Sequence, residues 1–383
     1  MNTGFESRPA PASSLSGAVV FFLALLMLAG CSGERAAADF KIVGYVFGGR
    51  GSPPFAVDAG RLTHINYAFT HIENGEVVPP TSADSVNLAY LRSLKSANPT
   101  LAILISIGGW SRSEGFSDAA LTQENRERFA RSAVEYMMQN GLDGVDLDWE
   151  YPGQPGAGNT HRPEDRENFT LMLKTLREHL GRAASEDGDA SRHYLLTIAS
   201  GASQTYLDHT DLGTAHRYVD FINIMTYDFS GTWTDTVWHH TNLRAPAGEG
   251  GSNRGSDRAV DEHRRAGVPG DKLVLGVAFY GRGWAGVRGL NQPASDSVFG
   301  LPYHSIAGLE GSGQGFVRQW DEDAQAPYLW NDDTGTFITY DDTVSLRKKV
   351  QFVKDEGLGG VMFWEHSADT TGALLRTLDY HLR

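Results

Sequence analysis

Within Asp143-Gly144-Val145-Asp146-Leu147-Asp148-Trp149-Glu150-Tyr151-Pro152, three acids occupy alternate positions of a run that reads as a buried strand. Successive strand side chains point to opposite faces, so Asp146, Asp148 and Glu150 share one face while Val145, Leu147 and Trp149 share the other. Carboxyls stepped about 6 to 7 Å apart along a poorly solvated face push one another's pKa upward. Burying them is costly unless they share protons or act on a substrate. A solvated acidic edge would not interleave such large apolar residues, and a calcium loop would need a glycine where this run has none. The chemistry on offer is proton transfer to and from a bound molecule.

Something must hold those acids in place, and the rest of the chain supplies a repeating scaffold. Apolar strand-like runs recur near Ile42 to Phe47, His64 to Phe69, Leu101 to Ile107, Gly144 to Glu150, Tyr194 to Ala199, Phe221 to Tyr227, Leu273 to Phe279 and Gly360 to Trp364. Helical segments lie between them, the pattern of βα units and a parallel sheet. Eight such strands close into a TIM (β/α)8 barrel, whose active residues sit at the strands' C-terminal ends. The clearest helices run from Thr122 to Gln139, ending at Asn140-Gly141, and from Pro163 toward Leu180-Gly181. From about Ala285 to Tyr340 the rhythm breaks into a stretch rich in Gly, Asp and aromatics, too long for a βα loop and too aromatic for disorder.

Asp143, Asp146, Asp148 and Glu150 match the DxxDxDxE pattern of glycoside hydrolase family 18, and Tyr151-Pro152 resembles the continuation seen in its chitinases. Ser106-Ile107-Gly108-Gly109-Trp110, Met225-Thr226-Tyr227-Asp228, Phe279-Tyr280-Gly281-Arg282-Gly283-Trp284 and Gly360-Val361-Met362-Phe363-Trp364-Glu365 resemble the same family in the same order, from about Lys41 to the end. The resemblance implies a barrel over 40–284 and 341–383, with a small α+β insertion at 285–340 walling a groove. It also implies a retaining, substrate-assisted mechanism in which the substrate's own N-acetyl oxygen attacks. Glu150 is then the general acid, Asp148 orients the acetamide, Asp146 shares a proton beneath it, and Asp143 is structural. Tyr227 and Asp228 meet the acetamide carbonyl, with Met225 lining the same pocket. Trp364 floors the subsite of the distorted sugar, and Trp110 and Trp233 stack on the leaving-group side. Tyr45, Phe69, Gly109, Tyr280 and Arg282 complete the groove, while Trp149 is core. One departure is visible: relatives carry a Trp a few residues past the first-strand tyrosine, where this chain has Gly48-Gly49-Arg50-Gly51. Weaker distal subsites on the non-reducing side follow.

The reading that results is a chitinase cutting β-1,4-linked N-acetylglucosamine chains internally. Two others stand beside it, a non-catalytic chitin-binding lectin and an endo-β-N-acetylglucosaminidase acting on N-glycans; the presence of Glu150 argues against the lectin. No cofactor is expected. His161 and the adjacent His239 and His240 lack a supporting carboxylate motif, so no metal site is expected either.

At a formal charge of −14 the 383-residue chain is a poor partner for nucleic acid, and chitin or chito-oligosaccharides fit its charge better. A monomer is expected. Ala18 to Ala29 form an apolar run too short for a bilayer, which needs roughly 20 residues, and read as a secretory signal. Leu28-Ala29-Gly30-Cys31 resembles a bacterial lipobox, which implies a signal peptide over 1–30, lipidation of Cys31, a linker over 31–39 and an exported, lipid-anchored protein. Cys31 is the sole cysteine, so disulfides play no part in the folded domain.

Overall fold

The computed structural model describes residues 40–50, 56–188, 192–246 and 253–383. The apolar run, Cys31 and the linker lie outside the described residues. Eight parallel strands close a barrel: β1 (Lys41–Phe47), β2 (His64–Thr70), β3 (Ala102–Gly108), β4 (Gly144–Asp148), β5 (Leu195–Gly201), β6 (Phe221–Met225), β7 (Leu273–Ala278) and, last in the chain, β13 (Gly360–Trp364). Going round, the order is β1, β13, β7, β6, β5, β4, β3, β2. These strands are buried on both faces, covered by helices outside and by side chains inside, and largely apolar apart from polar residues at the inward-facing site. All six residues of β7 are buried.

The helix Gln123–Gln139 is started by Thr122, whose hydroxyl accepts the Asn125 N–H, and it turns Phe129, Ala130, Ala133 and Met137 inward. The next helix, Asp165–Glu186, passes through Gly181 instead of stopping there. Nothing lies within 4 Å of where a Gly181 Cβ would be, and the following Arg-Ala-Ala-Ser-Glu carries the helix on.

Between β7 and β13 the chain builds a second sheet. Its strands are β8 (Tyr280–Trp284), β9 (Val298–Pro302), β10 (Phe316–Asp321), β11 (Ala326–Asn331) and β12 (Thr336–Tyr340), all antiparallel, in the order β9, β8, β12, β11, β10. A short helix, Tyr303–Ala307, follows β9. The sheet starts two residues past β7, at Tyr280, so Tyr280 to Trp284 pair here and not in the barrel. Val237, Trp284, Val287 and Phe337 form a separate small core on it.

Where this sheet returns to the barrel, a wholly buried ion pair ties the two ends. Lys349 Nζ donates to Asp341 Oδ2 at 2.6 Å and to Thr241 Oγ1 at 2.8 Å, and the same carboxylate accepts the Ala278 N–H at 3.2 Å. One knot therefore fixes the end of β7, the loop after β6 and the end of β12. The loop after β6 carries Tyr227, Asp228 and Trp233, and β8, which follows β7, carries Tyr280 and Arg282.

Candidate active site

The inward face of β4 meets the neighbouring strands in a register that surrounds the acids with donors. Asp146 stands beside Ser106 of β3 and Thr197 of β5, and Asp148 beside Gly108. Asp146 is fully buried and accepts from the Tyr45 hydroxyl at 2.8 Å, Ser106 Oγ at 2.7 Å, Thr197 Oγ1 at 2.5 Å and Asn223 Nδ2 at 3.5 Å. Burial raises its pKa and those four bonds oppose the rise.

Asp148 lacks such support. It is 4% exposed, and its Oδ1 is buried with no hydrogen-bond partner among the described residues. Burial, then the charges of Glu150 and Asp146, push its pKa well above the carboxylate range. A proton on this carboxyl removes the conflict, which makes Asp148 a donor as readily as an acceptor.

The strand stops at Asp148, two residues short of the sequence expectation. Gly108 and Gly109, both at positive φ, turn β3 away there, and the Asp148 carbonyl accepts from the Gly109 N–H at 2.7 Å and from Ser113 Oγ at 3.2 Å. A Cβ on Gly108 would sit 2.2 Å from that carbonyl oxygen, so only glycine allows the turn. Glu150 stands just beyond the strand end, its backbone pinned by the Ser113 hydroxyl, which accepts the Glu150 N–H at 2.9 Å, and by Asn159 Nδ2, which donates to the Glu150 carbonyl at 3.0 Å. Its side chain is buried; burial, with the Asp228 charge adding, pushes the carboxyl up to about 7 against a lowering hydrogen bond from Tyr151.

Opposite the acids, Tyr227 follows β6 and gives its hydroxyl only a soft partner, Met362 Sδ at 3.7 Å. Asp228 adopts a left-handed φ of 58°, which aspartate tolerates better than most residues. Its Oδ1 accepts from the Tyr280 hydroxyl at 2.6 Å and Arg282 Nε at 2.7 Å. Although burial would raise it, the His240 ring 3.6 Å away and the Arg282 hydrogen bond and charge hold the Asp228 carboxyl well below the usual carboxylate range.

The floor between these walls is aromatic. Trp364 stacks on Phe69 at 5.4 Å and 19°, with Tyr45 at 5.7 Å and Phe47 at 6.1 Å. Met225 and Tyr227 pack on the same cluster. Trp110 and Trp233 are more than half exposed, Trp110 edge-on to Tyr151 at 6.4 Å and Trp233 under the Arg282 guanidinium at 5.0 Å. Trp149 faces outward into the helix layer and stacks on Phe116. Asp143 accepts from Lys95 and from the Ile103 N–H, away from the pocket.

Phe47 went unread in the sequence; its signal is a ring placed directly before Gly48-Gly49. A Cβ on Gly48 would lie 2.1 Å from the Tyr67 hydroxyl and one on Gly49 would lie 2.8 Å from the Phe47 ring, so this Gly pair serves packing. Tyr151, Ser113 and Asn159 also border Glu150 without having been singled out for it. His239 and His240 are fully buried and engaged with Asp321, Thr339, Tyr280 and Asp228.

A closed (β/α)8 barrel with buried carboxyls at a strand end, beside an aromatic floor suited to the apolar face of a sugar, defines a glycoside-hydrolysing enzyme. The chain belongs to the glycosyl hydrolases family 18, whose model matches residues 41–369. It is 37% identical to chitinase A1 of Niallia circulans over 90% of this chain, and spans 58% of that relative's length. Endochitinase 1 of Metarhizium robertsii is 33% identical over 85% of this chain and 79% of its own. Among solved structures, a family 18 N-acetylglucosaminidase from Paenibacillus barengoltzii superposes with a TM-score of 0.83 at 44% identity, covering 89% of this chain and 99% of the other.

Proposed function

We propose that this chain is a chitinase that cleaves β-1,4-linked N-acetylglucosamine chains internally with retention of configuration, through participation of the substrate's acetamide. The observation that carries the reading is the pairing of an acid poised near neutrality, Glu150, with a buried, unpartnered Asp148 beside it. Glu150 protonates the glycosidic oxygen as the acetamide carbonyl oxygen attacks the anomeric carbon from the other face, and the leaving sugar departs with that proton. Asp148 accepts the acetamide N–H, which fixes the carbonyl oxygen for attack. The Tyr227 hydroxyl, held only by a thioether, donates to that oxygen. The Glu150 carboxylate then takes a proton from water as the water opens the oxazolinium at the anomeric carbon, and the second inversion restores the starting configuration.

Trp364 with Phe69, Tyr45 and Phe47 forms the bed of the reacting sugar, and Trp110 and Trp233 stack the sugars beyond the cut. An N-acetylglucosaminidase reading, favoured by the Paenibacillus relative, differs in releasing single sugars from an end. Incubating the protein lacking residues 1–31 with chitohexaose separates the readings by early product sizes: dimers, trimers and tetramers support internal cleavage, monomer with pentamer supports terminal release, and binding without cleavage supports a lectin.

Export and lipid anchoring through Cys31 belong to the same proposal. Cys31→Ala is expected to move the protein from the membrane to the soluble fraction in a bacterial host. Equal membrane retention of the variant would refute the anchor.

A further inference from the structure

His240 is a fully buried ring with no assigned role. Its Nε2 lies 3.3 Å from the carbonyl oxygen of Tyr280, and its Nδ1, without a hydrogen-bond partner among the described residues, lies 3.6 Å from Asp228 Oδ1. A carbonyl and an ionised carboxylate only accept. Either neutral tautomer therefore aims one ring lone pair at an oxygen, while an imidazolium presents N–H to both. The other charges facing the ring do not alter this conflict: Arg282 repels the imidazolium, but it is itself bonded to Asp228, and Asp341 attracts, though Lys349 neutralises it. The Tyr280 ring closes the remaining side at 5.0 Å, its hydroxyl spent on Asp228.

We propose that His240 is a positioning residue for Asp228, doubly protonated in mild acid, which holds that carboxylate ionised and oriented, and whose deprotonation lowers turnover separately from Glu150. Burial lowers the His240 pKa below the ordinary imidazole value, with the Asp228 charge opposing, so the proton is released as pH rises toward neutrality. The effect reaches the acid, because the Asp228 charge raises the pKa of Glu150. The inference rests on the reading of Asp228 as a substrate-facing group.

Nitrogen-15 spectra of histidine-labelled protein at pH 5, with His240→Gln used to assign the resonances, read the protonation state directly. Both His240 nitrogens are expected at imidazolium shifts. In parallel, log kcat/KM on a chromogenic chitobioside is expected to decline through two ionisations in the native enzyme and one in His240→Gln. At pH 5 the variant is expected to be about tenfold slower, the size of one charge-assisted hydrogen bond. A neutral His240 at pH 5, or two ionisations persisting in the variant, overturns the proposal. Should His240→Gln fail to fold, His240→Asn supplies the assignment, and the His240 titration in the native protein must coincide with one kinetic ionisation. An enzyme inactive at every pH would instead overturn the proposed function, and the nitrogen spectrum would still settle the protonation state.

Discussion

Glu150 and Asp148 differ in what surrounds them more than in what they are. Asp146 has four donors, Asp148 has none on its buried oxygen among the described residues, and Glu150 keeps a proton close to neutrality. Removing the acid function by Glu150→Gln is expected to lower kcat on chito-oligosaccharides by roughly 10²- to 10⁴-fold with KM little changed, measured by steady-state kinetics. Because the protonated form is the active one, kcat/KM should fall as pH rises through about 7. The same site costs stability. A carboxyl raised from 4.5 to about 7 makes the folded chain bind more protons than the unfolded one across that window, so stability falls as pH rises through it. Glu150→Gln is thus expected to be more stable than the native protein at pH 8, by roughly 3 kcal/mol or less, and so to melt at a higher temperature. A lower melting temperature in calorimetry would show that the carboxylate is not strained there. These residues were legible in the sequence because the chemistry dictates their types and spacing, whereas Phe47 and His240 were not. Phe47 belongs to no motif, and the partners of His240, Asp228 and Tyr280, are 12 and 40 positions away along the chain.

At the scale of elements, the eight barrel strands could be read because strands buried on both faces leave continuous apolar runs. Their ends could not. β4 stops at Asp148 because a turn on the neighbouring strand withdraws its pairing partner, a cause some 40 positions distant along the chain. The helix through Gly181 runs on because open space around that glycine makes its weak propensity tolerable. An α+β insertion at 285–340 was expected only through family resemblance, since that stretch of Gly, Asp and aromatics has no decisive period, and the antiparallel sheet found there starts earlier, at Tyr280. What fastens it is the buried Lys349 pair. Lys349→Met should leave Asp341 charged and unpaired and cost about 3 to 5 kcal/mol, read as a lowered urea midpoint. If that midpoint stays within error of the native value, the knot is not what joins β7 to the return of the sheet.

Among the described residues, the strand ends present an aromatic floor around Trp364, on a chain of formal charge −14. A neutral polysaccharide can approach it without the repulsion that nucleic acid would meet. Two exposed tryptophans border residues of the site, Trp110 edge-on to Tyr151 and Trp233 under the Arg282 guanidinium. Trp233→Ala should raise KM for chitohexaose by roughly 2- to 10-fold, the worth of one aromatic stacking contact, while sparing a short chromogenic substrate that does not reach it. Equal losses on both substrates would place Trp233 at the reacting sugar.

The proposed catalysis depends on acetamide participation triggered by Glu150. Proton NMR of chitohexaose cleavage, recorded within the first minutes so that mutarotation does not mix the products, reads it most directly. Newly formed reducing ends in the β configuration, abolished in Glu150→Gln, are the predicted result. Products appearing first as the α anomer, or β products surviving unchanged in the variant, would contradict it.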